Sequence, residues 1–327
     1  MFQPTTFGIA LVMVVLSTVC WGSFANTMKL TKNYRFELYY WDYAIGIFVM
    51  AAVLALTMGT IAGGPESFPA NLRSAAPANL AWAAIGGFIF NIANVLLIAG
   101  VEMVGLAVAF PISIGIALVE GVVLSYAIQP KGSAGLLAAG VAMAVVAVIL
   151  IGRAYAQLQG PGRTPSRKGV VVCVVSGLLM GTWAPFVTRA MTAARPLTPY
   201  TVGVLFTLGA LLCCLVFNPY LMRKPLVGEP VDFSGYRAAP ASYHALGLLG
   251  GMVWSVGTVF NLVAASLTGV AISYAIGQAS PMVAALWGVF VWREFRGANA
   301  RAKLYLAGMF TAYLLALLLI ARAYQAA

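Results

Sequence analysis

The sequence predicts an all-α integral membrane protein with ten transmembrane helices, arranged as two inverted five-helix repeats. Of its 327 residues, 62% are apolar and only 8% are charged, whereas soluble domains carry about 25% charged residues. Apolar runs of about 20 residues, enough to cross a bilayer as a helix, recur along nearly the whole chain. The composition therefore leaves no length for a separate soluble domain.

Ten spans are delimited by charged residues, prolines and glycine clusters. They cover residues 7–29, 41–62, 79–101, 104–128, 134–155, 168–189, 198–219, 242–266, 268–292 and 303–323. Only Glu102 and Met103 lie between the third and fourth spans, and Leu267 and Thr268 mark the junction of the eighth and ninth. These short connections predict two tight antiparallel hairpins.

An internal repeat relates the two halves of the chain. Residues 85–126 align without a gap on residues 249–290, which pairs Gly105 with Gly269, Asn91 with Ser255 and Asn94 with Thr258. We predict a first repeat at 1–157, a cytosolic linker at 158–168 and a second repeat at 169–327. Because each repeat holds an odd number of spans, the second enters the membrane inverted, which is a common plan in transporters.

The distribution of basic residues predicts the orientation. The loops after spans one, five, seven and nine hold most of the lysines and arginines, and such loops remain in the cytoplasm. We therefore expect a multi-pass protein of the cytoplasmic (inner) membrane with both termini outside. The net charge of +11 then reflects topology and contact with the lipid bilayer, and no nucleic acid partner is expected.

The most informative polar residue lies in the fourth span. Glu120 is the only ionisable group between Gly105 and Ser125, and an ionised carboxylate in hydrocarbon costs about 3 kcal/mol or more. Ser113 lies two helical turns earlier and shares its face. Because burial disfavours the charged form, we expect Glu120 to bind and release a coupling proton. The alternative is a permanently protonated acid that makes one structural hydrogen bond.

Other spans carry polar and aromatic residues that predict a substrate pathway. Asn91 and Asn94 share a helix face in span three, and Gln278 lies in a glycine–serine–proline interruption of span nine. Lipid cannot satisfy the hydrogen bonds of such groups. The predicted substrate-binding residues are Trp21, Asn91, Asn94, Ser113, Trp254, Thr258 and Gln278. The alternative for each is that it joins or packs helices.

Enzymatic chemistry finds no support in the sequence. The linker lacks the G-x-x-x-x-G-K-[ST] spacing that binds phosphates, so no nucleotide site is expected. No cysteine–histidine spacing indicates a metal site, and no cofactor is predicted. Asp42 and His244, the single histidine, lie near the ends of spans and are interpreted as interfacial residues. We therefore predict no enzyme activity and no ATP-driven pumping.

Several short motifs resemble a known superfamily. Cys20-Trp-Gly-Ser23 and the Gly105-x-Ala-x-Ala-x-Pro111 run resemble the drug/metabolite transporter superfamily. Within it, the segments 36–43, 90–94, 119–121 and 286–290 are similar to bacterial relatives of ureide permeases, close to the glucose/rhamnose uptake group. This resemblance implies proton-coupled import of small polar molecules such as allantoin, uracil or sugars.

The leading hypothesis is a proton-coupled secondary importer of a ureide or nucleobase-like heterocycle that works by alternating access. Sugar uptake, and export of drugs or metabolites by proton antiport, are alternatives on the same scaffold. A passive channel or a lipid-handling protein is a further alternative. The expected partners are a small-molecule substrate, protons and lipid, and a homodimer is left open as an assembly.

Overall fold

The chain folds as ten membrane-length helices with short connections. A computed structural model describes residues 1–32, 34–158 and 166–325. Within these ranges, ten helices or helical runs are long and apolar enough to cross a membrane. The predicted all-helical class and number of spans are confirmed. Most of the predicted cytosolic linker, residues 159–165, lies outside the described residues.

The helices follow the predicted spans closely. Those of the first five spans are α1 (Phe7–Ser23), α2 (Ala25–Lys29), α3 (Phe36–Leu56), α4 (Phe68–Ser74), α5 (Pro77–Val104), α6 (Leu106–Ile128) and α7 (Ala134–Ala156). Those of the last five are α8 (Arg167–Thr192), α9 (Pro199–Arg223), α10 (Phe233–Arg237), α11 (Ala241–Thr268), α12 (Val270–Gly277), α13 (Ser280–Leu286), a π-helical turn (Trp287–Val291) and α14 (Ala300–Gln325). Helix α2 continues the first span to Lys29, as predicted, whereas the short helices α4 and α10 lie outside the predicted spans.

The largest boundary error concerns the second span. We predicted residues 41–62, but α3 begins at Phe36 and ends at Leu56. Polar residues at the start of the run were interpreted as the edge of the membrane. In the structure they lie within the helix because Glu37 pairs with Arg35 at 2.7 Å and Asp42 accepts hydrogen bonds on both oxygens.

Single glycines make the two predicted hairpin connections. Gly105 alone separates α5 from α6, and Gly269 alone separates α11 from α12. Their φ angles are +78° and +84°, a region that glycine enters without steric cost. The two residues coincide in the repeat alignment, which agrees with the predicted repeat. The inverted relation of the halves stays a prediction.

The interruption predicted in span nine is present. Helix α12 ends at Gly277, and α13 begins at Ser280 with Pro281 in its first turn. Proline is tolerated in a first turn because that position makes no intrahelical N–H bond. The backbone N–H of Gln278 still donates to the carbonyl of Tyr274, at 3.0 Å. The chain therefore stops one helix and starts another inside an apolar run.

The described chain divides into two compact units. Unit 1 comprises Met1–Ile92 and Phe186–Leu267, and unit 2 comprises Ala93–Pro185 and Thr268–Ala327. Each unit thus combines a stretch from each predicted repeat. The units are defined by packing in the structure and the repeats by alignment of the sequence, so the two divisions need not coincide. The repeat boundaries at 157 and 169 therefore stay a prediction.

Glycines allow close helix contact inside unit 1, where α3 packs against α9. A Cβ atom at Gly87 of α5 would collide with the carbonyl of Phe206 on α9. The reverse contact joins Gly209 of α9 to the carbonyl of Ala84 on α5. Small residues of this kind let backbones approach in membranes, where apolar burial alone does not drive helix association.

In unit 2, α7 packs against both α6 and α14, and α12 also contacts α6. Pro111 lies inside α6 without ending it. The ring of Pro111 and the carbonyl of Ala107 are covered by Gly152 of α7, where a Cβ would stand 2.4–2.7 Å from them. Helix α6, which carries Glu120, is therefore held by neighbours along its length.

Candidate functional site

Unit 1 contains a cluster of nearly parallel aromatic rings centred on Trp254. The ring of Phe90 lies 4.7 Å from it at 27°, that of Trp21 at 6.3 Å and 21°, and that of Phe206 at 6.4 Å and 16°. Trp254 is 6% exposed. The structure thus brings together Trp21 and Trp254, two of the predicted binding residues. Their flat faces provide a surface suited to stacking.

A hydrogen bond fixes the orientation of Trp21 in this cluster. The indole Nε1–H donates to the Thr258 hydroxyl at 3.0 Å, and that hydroxyl donates in turn to the carbonyl of Trp254 at 3.1 Å. Gly257 allows the approach, because a Cβ there would stand 2.9 Å from the Trp21 ring. Thr258, a third predicted binding residue, therefore supports the aromatic cluster through its hydroxyl.

Asn91 follows Phe90 on α5 but contacts a different neighbour. Its Oδ1 accepts from the Tyr40 hydroxyl at 2.7 Å, whereas its Nδ2 is buried without a hydrogen-bond acceptor among the described residues. The hydroxyl of Ser255, next to Trp254, is also buried with no partner in the described part of the chain. Two buried polar groups beside the aromatic cluster of unit 1 therefore have no hydrogen-bond partner by distance and angle among the described residues.

In unit 2, α6 presents its polar residues to α8, as expected for residues two turns apart. The Ser113 hydroxyl donates to the carbonyl of Cys173 at 2.8 Å. Seven residues along α6, the Thr182 hydroxyl lies 3.0 Å from Oε1 of Glu120 and 2.7 Å from the carbonyl of Leu178 in its own helix, so the two acceptors share its one hydrogen. The single hydroxyl hydrogen of Ser113 is donated to a residue of another helix. Ser113 can therefore contact a substrate only through its oxygen, as a hydrogen-bond acceptor.

Glu120 combines one satisfied carboxylate oxygen with one that is not. Oε1 accepts from Thr182, while Oε2 is buried with no hydrogen-bond partner among the described residues. Gly181 makes room for the carboxyl, since a Cβ there would lie 2.8 Å from Oε2. Burial opposes the charged form and the Thr182 bond supports it. The two forms of Glu120 are therefore each partly stabilised.

Two aromatic residues lie beside this carboxylate. The ring of Tyr274 packs on Gly121, where a Cβ would come within 2.6 Å of it, and its hydroxyl donates to the carbonyl of Ala117 at 3.2 Å. Trp183 meets the Tyr274 ring edge to face at 5.3 Å. Unit 2 thus has its own pairing of a polar group with aromatic rings, built from α6, α8 and α12.

The two remaining predicted site residues are also buried in unit 2. Asn94 is 7% exposed and Gln278 is 8% exposed. Gln278 lies at the interruption between α12 and α13. The roles of these residues in substrate binding stay predictions.

Sequence reasoning missed a second buried carboxylate. Asp42 accepts from the Tyr236 hydroxyl and contacts Nδ1 of His244, each at 2.7 Å. It also missed Thr182 as the partner of Glu120. The clue for Asp42 was that apolar and aromatic residues flank it on both sides. This flanking sequence indicates burial more strongly than the position of Asp42 at the edge of the predicted span argues against it.

Comparison with known proteins identifies the family. Residues 72–319 match the sugar transport protein family over most of the chain. The chain belongs to the sugar transport protein family. A solved crystal structure covers 96% of this chain and 98% of its own, with a TM-score of 0.65 at 17% identity, and this likeness concerns the fold alone.

Among curated proteins, ureide permeases of Arabidopsis thaliana are similar along nearly their full length. Ureide permease 1 is 20% identical, with 97% of each chain covered. Ureide permease 5 is 22% identical, with 94% of this chain and 92% of its own covered. The predicted relationship to ureide permeases is thereby confirmed. Together with the ten apolar helices, the family makes this chain a multi-pass membrane transporter of small solutes.

Proposed function

We propose that this chain is a proton-coupled secondary importer of a small polar molecule, with ureides and nucleobase-like heterocycles as the first substrate class. The observation that carries the proposal is Glu120. It is a carboxyl group within an apolar span, with one oxygen bonded to Thr182 and the other buried without a partner among the described residues. Ionisable groups at such positions serve proton pathways and substrate sites in transporters.

The coupling step follows from the geometry of this carboxyl. When Glu120 is ionised, the Thr182 hydroxyl stabilises Oε1. When it is protonated, the hydrogen on Oε2 can be donated to a polar substrate or to water that enters the site. Loading from outside and release inside would couple import to the proton gradient, by alternating access of the repeats 1–157 and 169–327.

The substrate class rests on two features. Ureide permeases, as their name states, act on ureides, which are small planar molecules rich in amide groups. Unit 1 supplies stacked rings at Trp21, Trp254 and Phe90 together with the buried amide of Asn91, which has the Cys213 thiol as a neighbour. Planar heterocycles stack on such rings while amide donors bind their carbonyl oxygens. Asn94, Ser113, Thr258 and Gln278 are proposed to complete the lining.

Sugar uptake is the second candidate, and the description of the family favours it. Aromatic rings and amide side chains also bind sugars, since a sugar has apolar faces and many hydroxyls. Location in the cytoplasmic membrane with both termini outside is part of the proposal, and the homodimer stays a prediction.

Uptake into proteoliposomes tests the proposal. Purified protein is reconstituted, an inward proton gradient is imposed, and labelled uracil, allantoin and glucose are offered separately. We expect saturable accumulation of one heterocycle above its external concentration, lost when an uncoupler removes the gradient. Accumulation of glucose alone would favour the second candidate. Outward movement driven by the same gradient, or entry without saturation, would contradict import.

A further inference from the structure

A buried carboxylate that the proposed coupling does not use lies in unit 1. Asp42, near the start of α3, has 7% of its side chain exposed. Its Oδ1 accepts from the Tyr236 hydroxyl of α10, and its Oδ2 stands 2.7 Å from Nδ1 of His244 on α11. Both oxygens are therefore occupied, and three helices meet at one carboxyl group.

His244 can take up a proton at this place. An ionised carboxylate only accepts hydrogen bonds, so the facing Nδ1 carries the hydrogen and Nε2 holds the lone pair. Nε2 has no hydrogen-bond partner among the described residues, and 26% of the His244 side chain is exposed. One proton added at Nε2 turns a pair with one negative charge into a neutral ion pair.

The other ionisable groups around the pair are phenols, contributed by Tyr34, Tyr39 and Tyr236. Burial, followed by the hydrogen bond to Asp42, raises the pKa of Tyr236. Burial, followed by the charge of Asp42, raises the pKa of Tyr34 to about 12. These phenols keep their hydrogens near neutral pH. The phenols are thus donors, and the exchangeable proton belongs to the aspartate–histidine pair.

Charged residues nearby do not replace His244 as the partner of Asp42. Arg35 is engaged by Glu37 at 2.7 Å and by the carbonyl of Glu229 at 2.7 Å. Asp232 bonds within its own turn, to Ser234. Arg237 of α10 makes no ion pair with the carboxylate in the described part of the chain. The Tyr236 ring meets the His244 ring edge to face at 4.5 Å, which holds the imidazole in position.

We propose that Asp42 and His244 form a proton-binding site of their own, with Tyr236 as the residue that positions the carboxylate. Helices α3 and α11 both start after loops that the basic residues assign to the cytoplasm, so the site exchanges its proton with that side. Glu120 takes no part in it. The inference goes beyond the proposed function, and only the side on which the proton exchanges rests on the orientation proposed there.

The single histidine of this chain makes a direct test feasible. Full-length protein labelled with ¹⁵N and ¹³C in histidine gives one set of imidazole resonances, which is followed by NMR in nanodiscs. In the unmodified protein we expect Nε2 to gain a proton reversibly as the pH is lowered, with Nδ1 bearing a hydrogen throughout.

Two variants should move the titration in opposite directions. Asp42→Asn removes the facing negative charge, so the imidazole should take up its proton only at a lower pH than in the unmodified protein. Tyr236→Phe keeps the ring and removes a donor from the carboxylate, so the imidazole should titrate at a higher pH. The second variant covers the case in which Asp42→Asn does not fold.

Glu120→Gln serves as the control and should leave the imidazole titration unchanged. The proposal is wrong if Nε2 gains no proton as the pH is lowered, or if neither Asp42→Asn nor Tyr236→Phe changes the pH at which it does so. Because the measurement needs no substrate and no gradient, it can succeed while the proposed transport fails, and the reverse also holds.

Discussion

Glu120 in unit 2 and Asp42 in unit 1 are both acids in membrane helices, but Asp42 is buried, Glu120 is half-buried, and their surroundings differ. Glu120 has one hydroxyl donor on one oxygen and none among the described residues on the other. Asp42 has a phenol on one oxygen and an imidazole on the other. A half-satisfied carboxyl suits a proton that comes and goes with a substrate, whereas a fully bonded carboxyl suits a charge kept in place.

The largest effect on transport is expected when Glu120 is neutralised. Glu120→Gln should reduce uptake driven by a proton gradient at least tenfold, because an amide cannot carry the proton. Exchange of labelled for unlabelled substrate should persist, since that step needs no net proton movement. The measurement is uptake and exchange in the same proteoliposomes.

The matched control is Glu102→Gln, which removes an exposed carboxylate at the end of α5. It should leave gradient-driven uptake unchanged. Equal loss of uptake in both variants would remove the special role of Glu120.

Stability should rank the two acids in the opposite order. Asp42→Ala leaves the half-buried imidazole of His244 and the half-buried phenol of Tyr236 without their acceptor, which should cost about 2 kcal/mol of unfolding free energy. Glu120→Gln keeps an oxygen that accepts from Thr182 and should cost under about 1 kcal/mol. Unfolding of the reconstituted protein in denaturant measures both. A less stable Glu120→Gln protein would reverse the comparison.

A smaller effect is expected at the donor to Glu120. Thr182→Val removes the hydroxyl that supports the ionised carboxylate at 3.0 Å, a bond to a charged group worth about 1.5 kcal/mol. Proton release should become harder, and gradient-driven uptake should fall about tenfold. Thr182→Ser restores a hydroxyl and should recover most of the rate. Failure of the serine variant to recover uptake would show that packing, and not the hydrogen bond, matters at this position.

The smallest effect is expected in the aromatic cluster of unit 1. Trp21→Phe keeps a ring but removes the N–H that donates to Thr258, which should cost about 1 kcal/mol. Substrate affinity should weaken about fivefold, with coupling intact. Trp21→Ala should weaken affinity more, because it also removes the stacking face. Unchanged affinity in the alanine variant would exclude Trp21 from the substrate site.

The sequence allowed prediction of the architecture because each boundary has a local chemical cause. Gly105 and Gly269 mark turns that require positive φ, and the proline after Gln278 marks the interruption of span nine. Length and composition gave the ten spans. The second span was misplaced because Glu37 and Asp42 are polar, and polarity was used as the sign of a span end.

Partners within the membrane were harder to predict. Spans that are apolar on all faces carry no periodic signal that tells which face meets which helix. The contact of Glu120 with Thr182 and that of Asp42 with His244 join segments far apart in sequence. The alternative prediction for Ser113, that it joins two helices, matches its hydrogen bond to the carbonyl of Cys173. Only the folded chain shows such pairings.

The most direct test of the central claim counts protons and substrate together. Vesicles containing a pH-sensitive dye are given the transported heterocycle without an imposed gradient, and internal acidification is recorded alongside uptake. Substrate-dependent acidification in the unmodified protein, absent in Glu120→Gln although exchange continues, is the predicted result. Acidification that persists in Glu120→Gln would contradict the account.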